Sequence, residues 1–194
     1  MATKPGERKL QILQTVAEML EQPKSEKITT AALAARLEIS EAALYRHFSS
    51  KAQMFEGLIE FIEQTIFGLI NKITSEETSG IKQVEAVMAL LLGFAQKNRG
   101  MTRVLIGDAL VNEDERLQQR INQLLDRIET TLKQSLRIAV TLGELPQHAD
   151  VTSQANVLVC YVMGRWQQFG KSGFVRDPMA QWPQQWAILA CKAG

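Results

Sequence analysis

The chain has 194 residues, of which 45% are hydrophobic and 6% aromatic, and its formal net charge is +1. The length allows one large or two small domains with a sizeable buried core, and a charge this close to zero argues neither for nor against a nucleic-acid partner. The N-terminus lacks the apolar segment of a signal peptide, and no apolar run approaches the ~20 residues of a membrane span, which predicts a cytoplasmic protein.

The composition favours an all-helical protein, because Leu, Ala, Ile, Gln and Glu are plentiful and no alternating strand pattern stands out. The first predicted helix covers residues 7–21. Apolar residues recur along it at helical spacing, and this stripe is expected to pack behind the segment that follows. The residues of the stripe are Leu10, Leu13, Val16, Ala17 and Leu20.

Residues 28–51 form the stretch around which the rest of the chain is organised. A short helix is predicted over residues 31–37, because good helix formers follow the hydroxyl of Thr29 or Thr30, either of which suits an N-cap. A tight turn then leads to Ser40, which is a second N-cap. Two short helices joined in this way form a helix-turn-helix.

The second short helix is predicted over residues 41–47, and it has one apolar side and one open side. Its small outer face is suited to entering the major groove of DNA. The apolar set that joins the two helices comprises Leu33, Leu37, Ile39, Leu44 and Phe48. The outward set comprises Ser40, Glu41, Ala42, Ala43, Tyr45, Arg46 and His47.

A long helix is predicted from Lys51 to about residue 73. Ser50 and Gln53 have the spacing of a capping box at its start. The helix is long enough to leave the DNA-binding unit and enter a second domain. Its apolar stripe consists of Phe55, Leu58, Ile59, Ile62, Ile66, Leu69, Ile70 and Ile73.

The remainder of the chain is also predicted to be helical. We expect a three-helix DNA-binding domain over residues 1–51, joined through the long helix to a larger helical dimerisation domain over residues 52–194. The later helices are predicted over residues 81–97, 101–111, 113–138 and 150–169, with a last helix that includes Pro183.

The last two helices are apolar enough to form the four-helix interface of a homodimer with twofold symmetry. The alternative is that they only close the core of the monomer. A dimer would hold two recognition helices about one turn of DNA apart, and it would bind a near-palindromic double-stranded site.

The residue types of the second short helix indicate how DNA would be read. The methyl groups of Ala42 and Ala43 suit a thymine methyl, and the Ser40 hydroxyl suits a base edge or a phosphate. Phosphate contacts, which set the register without reading bases, are predicted for Thr29, Thr30, Tyr45, His47 and Lys51. Tyr45 or His47 taken singly would be an ordinary surface residue.

This segment resembles the TetR-like family of bacterial regulators, whose pattern is LA…VS…LYxHFxxK. The resemblance implies the same fold and double-stranded DNA as a partner. Glu38 stands at the turn position where the family usually has glycine, and a left-handed conformation there costs about 1–2 kcal/mol. The matching positions are Leu33-Ala34, Ile39-Ser40, Leu44-Tyr45, His47-Phe48 and Lys51.

Within that family, the run SEAALYRHF, with Met54-Phe55 and the segment LIEFIE at residues 58–63, is similar to the nucleoid-occlusion group. The resemblance is good to about residue 103 and fair to residue 128. It implies a nucleoid-associated protein that couples DNA binding to inhibition of division-ring assembly. It also implies that the fourth and fifth helices bind the tubulin-like division GTPase through Phe61, Leu90, Gly93, Lys97, Asn98 and Met101.

The sequence also bears on two other functions. A ligand-gated TetR-type repressor needs a pocket of a few hundred cubic ångströms with several convergent polar groups. The predicted inner faces of the second domain are mostly Leu, Ile, Val and Phe, which favours the nucleoid-occlusion function. An enzyme is not expected, because no nucleophile–base pair, metal-ligand spacing or glycine-rich phosphate loop occurs.

No cofactor or metal is predicted. Cys160 and Cys191 lie far apart in apolar surroundings, with no CxxC motif and no histidine at ligand spacing. Both are expected to be buried free thiols, with a disulfide between them as the alternative.

Overall fold

The computed structural model describes residues 5–22 and 28–190, and within these ranges the chain is helical with no strand. This confirms the predicted fold class. The elements in chain order are α1 (Pro5–Leu20), α2 (Thr30–Arg36), α3 (Glu41–Tyr45), α4 (Lys51–Glu76), α5 (Gly80–Lys97), α6 (Arg99–Leu105), a 3₁₀ turn (Asp108–Leu110), α7 (Glu115–Thr141), α8 (Val151–Lys171) and α9 (Trp182–Leu189).

The helices of the DNA-binding unit begin where hydroxyl side chains can cap them. The oxygens of Thr29, Ser40 and Ser50 each accept a hydrogen bond from a backbone N–H in the first turn, at 3.1, 3.1 and 3.2 Å. These bonds satisfy donors that have no partner inside the helix. The side chain of Gln53 accepts from the backbone N–H of Ser49 at 2.9 Å, one residue before the N-cap, so the reciprocal bond differs from the one that the predicted capping box makes to Ser50.

The buried face of α1 is rotated from the predicted one. Ile12 is fully buried although the predicted stripe omitted it, whereas Leu10 is 40% exposed. Val16 and Leu20 are buried as expected. The rotation arises because α1 packs against α6 as well as against α2 and α4, so the buried face includes positions that a single stripe does not cover.

A backbone contact joins α1 to α6. A Cβ atom placed on Gly100 would lie 1.8 Å from the carbonyl oxygen of Ala17, so only glycine allows the two helices to approach this closely. Gly80 allows a similar approach of α5 to α7, where a Cβ would lie 2.3 Å from the carbonyl oxygen of Ser135. These two positions fix how closely the helices pack.

The larger domain is a bundle of α4, α5, α7 and α8 around an apolar core. Trp166 of α8 is 1% exposed, and its indole N–H donates to the carbonyl of Leu91 at 3.0 Å, so the buried donor is satisfied. The buried amide of Gln83 donates to the carbonyl of Glu77 at 2.7 Å and accepts from the hydroxyl of Ser135 at 2.8 Å.

The helix predicted over residues 101–111 differs from the observed structure. It divides into α6 and the 3₁₀ turn at Gly107, whose φ of 79° is left-handed and ends α6. The helix also begins earlier than predicted, at Arg99. Among the described residues, no helix is both long enough and apolar enough to span a bilayer.

We expect Gly100→Ala to lower the free energy of unfolding by about 1–3 kcal/mol, because the added methyl group forces α1 and α6 apart. Gly68→Ala is the matched control: nothing lies within 4 Å of the added Cβ, and alanine favours a helix by up to about 1 kcal/mol over glycine. Urea unfolding of both variants provides the measurement. A Gly100→Ala protein as stable as the wild type would contradict the close contact.

Candidate nucleic-acid interface and partner groove

The recognition helix α3 is held by its inner side, and its outer side is open. Leu44 is fully buried and Phe48 is 6% exposed, and both belong to the core that joins α2 to α3. Ser40, Ala42 and Tyr45 are exposed, as are Glu41 and Arg46, while Ala43 and His47 are half-buried. The helix therefore presents the predicted outward set to solvent.

The turn between α2 and α3 includes a left-handed residue that is not glycine. Glu38 has a φ of 54°, so the structure agrees with the strain expected at this position. Strain of this kind costs on the order of 1–2 kcal/mol. The turn is held by backbone bonds from Glu38 to Ala35 and from Ile39 to Ala34, at 3.1 and 3.0 Å.

A cluster of polar side chains lies where α2 meets α3. The hydroxyl of Thr30 donates to the carboxylate of Glu41 at 2.6 Å, and the phenol of Tyr45 donates to the Thr30 oxygen at 3.5 Å. The predicted phosphate contacts Thr30 and Tyr45 are thus held next to each other. Glu41 was not among the predicted site residues, although its place in the first turn of α3 was the available signal.

Lys51 has a different environment from the other predicted DNA contacts. Its ammonium forms an ion pair with the carboxylate of Glu113, in the loop before α7. It also lies 5.6 Å from the centroid of the Phe55 ring. The side chains of Lys51 and Glu113 are only 22% and 12% exposed. Lys51 is therefore engaged by the larger domain in this structure.

Two further cations fasten α7 to α4. The guanidinium of Arg120 makes a two-pronged ion pair with Glu63, at 2.7 and 3.2 Å, which raises the pKa of Arg120 above its ordinary value. Phe67 lies one helical turn beyond Glu63 on α4, and the guanidinium of Arg127 on α7 lies 3.7 Å above the centroid of its ring. These contacts fix the orientation of α4 against the bundle.

A groove of about 350 Å³ runs between α4 and α5. It brings together five of the six residues predicted to bind a partner, and Met101 is the exception, because it is 8% exposed and packs into the core. The amide of Asn98 is already used by the Phe94 carbonyl at 2.8 Å. This α4–α5 groove is lined by Phe61, Thr65, Leu69, Ala89, Leu90, Gly93, Phe94, Lys97 and Asn98.

The cleft beside Trp166 in the larger domain offers little room for a ligand. The cleft between α6, α7 and α8 that includes Trp166 and Asn122 holds about 80 Å³. Small-molecule sites usually enclose about 300–1,000 Å³. Among the described residues, there is also no group of three or more His, Cys, Asp or Glu side chains positioned to hold a metal ion.

The helices α8 and α9 leave apolar side chains uncovered. Val157, Cys160 and Gly164 follow one another at helical spacing on α8, and all three are exposed. Ile188 of α9 is 73% exposed. The expectation that Cys160 is buried is therefore wrong for the single chain, because its apolar neighbours belong to an outer face of α8. Cys191 lies outside the described residues.

A capped helix-turn-helix with an open recognition helix, carried on a larger helical bundle, is the arrangement of a two-domain DNA-binding regulator. Two family models match the chain. One is described as bacterial regulatory proteins, tetR family, and matches residues 12–58. The other, SlmA-like, is described as a tetracyclin repressor-like C-terminal domain and matches residues 78–193.

Named relatives match over nearly the whole chain. The nucleoid occlusion factor SlmA of Marinomonas sp. (strain MWYL1) is 50% identical over 190 residues, which cover 98% of this chain and 96% of the relative. That of Alteromonas mediterranea is 50% identical over 188 residues, covering 97% and 96%. The chain therefore belongs to the TetR family of DNA-binding regulators, within its group of SlmA nucleoid occlusion factors, which are not enzymes.

The similarity to these relatives extends through the C-terminal third of the chain. It continues beyond residue 128, where the resemblance visible from the sequence motifs ended. Solved structures share the fold. A TetR transcription regulator from Haloarcula marismortui has a TM-score of 0.81 at 15% identity, covering 95% of this chain and 97% of that one. FadR from Bacillus subtilis in complex with stearoyl-CoA has a TM-score of 0.77 at 14% identity, covering 95% and 99%. At such identities the likeness concerns the fold alone.

Proposed function

We propose that two copies of this chain bind a near-palindromic DNA site through α3, and that the α4–α5 groove binds the tubulin-like division GTPase. In this way a nucleoid-associated protein would inhibit division-ring assembly near the chromosome. The observation that carries the proposal is the open outer face of α3, in a chain 50% identical to nucleoid occlusion factors. Residues 1–51 would form the DNA-binding domain and residues 52–194 the dimerisation domain.

The DNA contacts divide into two kinds. Ala42 and Ala43 present methyl groups that suit the thymine methyl in the major groove. The hydroxyls of Thr29, Thr30 and Tyr45, the imidazole of His47 and the ammonium of Lys51 suit phosphate oxygens. The Thr30 hydroxyl donates its proton to Glu41 in the free protein, so it would turn away from that carboxylate to donate to a phosphate.

The homodimer is supported by the apolar side chains that α8 and α9 leave exposed. A second copy packed on α8 would bury Val157 and Cys160 and place Gly164 where two helices can approach closely. It would also cover a cleft of about 330 Å³ that Val157 and Leu189 help to line. Apolar surface of this kind is costly when it remains in water and stabilises a dimer when it is buried.

The partner site is supported by the chemistry of the α4–α5 groove. Its floor is apolar, with Phe61, Leu69 and Leu90, and exposed Lys97 adds a positive charge at one end. Such a groove suits a peptide segment with apolar anchors and acidic residues. A ligand-gated repressor would need a pocket of a few hundred cubic ångströms, and the cleft beside Trp166 holds only about 80 Å³. The cleft of about 330 Å³ beside Leu189 opens on the face of α8 proposed for the dimer.

Ala43→Glu tests the recognition helix. We expect at least about a 100-fold loss of affinity, because a carboxylate would face DNA phosphates and like charges brought together cost several kcal/mol. The probe is a duplex selected by the wild-type protein from a random library, and binding is followed by fluorescence anisotropy. Gln134→Glu, which adds the same charge on the exposed side of α7, should bind normally. Retained affinity in a folded Ala43→Glu protein would refute the placement of α3.

Val157→Glu tests the dimer. Val157 is 56% exposed in the single chain, and a buried carboxylate at a dimer interface would be unpaired, so we expect monomers in analytical ultracentrifugation. The matched control is Val111→Glu, at a valine 65% exposed in the loop before α7, which should leave the oligomeric state unchanged. If Val157→Glu sediments like the wild type, this face of α8 is not the interface.

Lys97→Glu and Gly93→Leu test the groove. Reversing the charge, or filling the space beside Gly93, should reduce co-sedimentation with polymers of the division GTPase without changing DNA affinity. Lys82→Glu, at an exposed lysine near the other end of α5, is the control. The measurement is made with and without the selected duplex. Failure of the wild-type protein to co-sediment in both conditions would instead support a ligand-gated repressor.

A further inference from the structure

The position of Lys51 is unfavourable for a cation unless something holds it there. Lys51 is the first residue of α4, where the positive end of the helix dipole and the unpaired backbone N–H groups disfavour another positive charge. Its side chain is only 22% exposed, so water alone does not compensate. The carboxylate of Glu113 provides the compensating charge from a residue 62 positions later in the chain.

The loop before α7 is built to present Glu113. Asn112 has a left-handed φ of 65°, and the backbone N–H of Glu113 donates to the carbonyl of Leu110 at 3.0 Å. The next residue, Asp114, caps α7 and binds the guanidinium of Arg116 at 2.7 Å. The hydrogen bond from the Arg116 side chain lowers the pKa of Asp114 to about 2.

Glu113 is therefore separated from the neighbouring cation. Arg116 is 77% exposed and is engaged by Asp114, whereas the Glu113 side chain is 12% exposed and faces Lys51. A carboxylate that is this well buried needs a partner, because removing one member of a buried pair leaves an uncompensated charge. The loop and the start of α4 are thus held together by charges of opposite sign.

We infer that Glu113 is a positioning residue. Its carboxylate holds the ammonium of Lys51 in the free protein and therefore competes with DNA phosphate for it. The inference rests on the proposed function, in which Lys51 contacts the DNA backbone. Binding to DNA would transfer the ammonium from carboxylate to phosphate and release the loop formed by residues 107–114 from α4. Glu113 would therefore reduce affinity for every DNA sequence and couple DNA binding to the larger domain, and this coupling is reciprocal.

A double-mutant cycle separates this competition from simple repulsion between Glu113 and DNA. The duplex affinity is measured for the wild type, Glu113→Gln, Lys51→Met and the double variant. Glu115→Gln removes an exposed carboxylate two residues away and serves as the control for repulsion. Glutamine keeps the size and an oxygen acceptor of Glu113, so the loop should remain folded, and circular dichroism checks this.

We expect Glu113→Gln to bind about 3- to 10-fold more tightly, which corresponds to roughly 1 kcal/mol. Lys51→Met should bind more weakly and flatten the salt dependence by about one unit. In the Lys51→Met background, Glu113→Gln should increase DNA affinity no more than Glu115→Gln does. Hydrogen exchange at the amides of residues 107–114 should rise when the wild type binds DNA, and should already be raised in free Glu113→Gln.

The outcomes distinguish the two proposals. If Lys51→Met binds DNA like the wild type, Lys51 is not a phosphate contact, and the competition is refuted together with that part of the proposed function. If Lys51→Met binds weakly but Glu113→Gln gains no more than Glu115→Gln, only the role of Glu113 is refuted. Unchanged loop exchange on binding DNA would also overturn it.

Discussion

The continuity of α4 is the constraint on which the rest of the structure depends. Its 26 residues extend about 39 Å without interruption. Met54 and Phe55 near its start and Ile66 and Ile70 further along are all buried, and they belong to one continuous core that also includes Leu33 and Leu44 of the helix-turn-helix. Because a packed helix tilts as a rigid element, α3 cannot change its orientation relative to the bundle unless α4 moves or this shared core is disrupted.

Besides the arginine contacts of α7 with α4, two contacts that differ in kind join the DNA-binding unit to the larger domain. The approach of Gly100 to the backbone of Ala17 is a steric fit between two main chains and involves no charged group for which a solute could compete. The ion pair between Lys51 and Glu113 is electrostatic, and a phosphate carries the same sign of charge as the carboxylate it would replace. The first contact therefore keeps α1 and α6 closely packed. In the proposed competition, the second is the contact that DNA phosphate replaces.

Local signals in the sequence predicted much of this arrangement. The caps at Thr29, Ser40 and Ser50 and the buried face through Leu33 and Leu44 follow from residue type and helical spacing, which act over a few positions. Features set by distant packing were not predictable in the same way. The pairing of Lys51 with Glu113 and the burial of Met101 depend on how α6 and α7 lie against the DNA-binding unit, and Cys160 is exposed because α8 has a second apolar face.

Two of the proposed contacts, Lys51 and the α4–α5 groove, share α4. Phe61 in the α4–α5 groove is ten residues from Lys51, which corresponds to about 15 Å along the helix. A partner that favours one tilt of α4 would change how readily Lys51 leaves Glu113, and DNA would change the groove in return. The small size of the cleft beside Trp166 supports such coupling, because closely packed helices transmit a displacement instead of absorbing it.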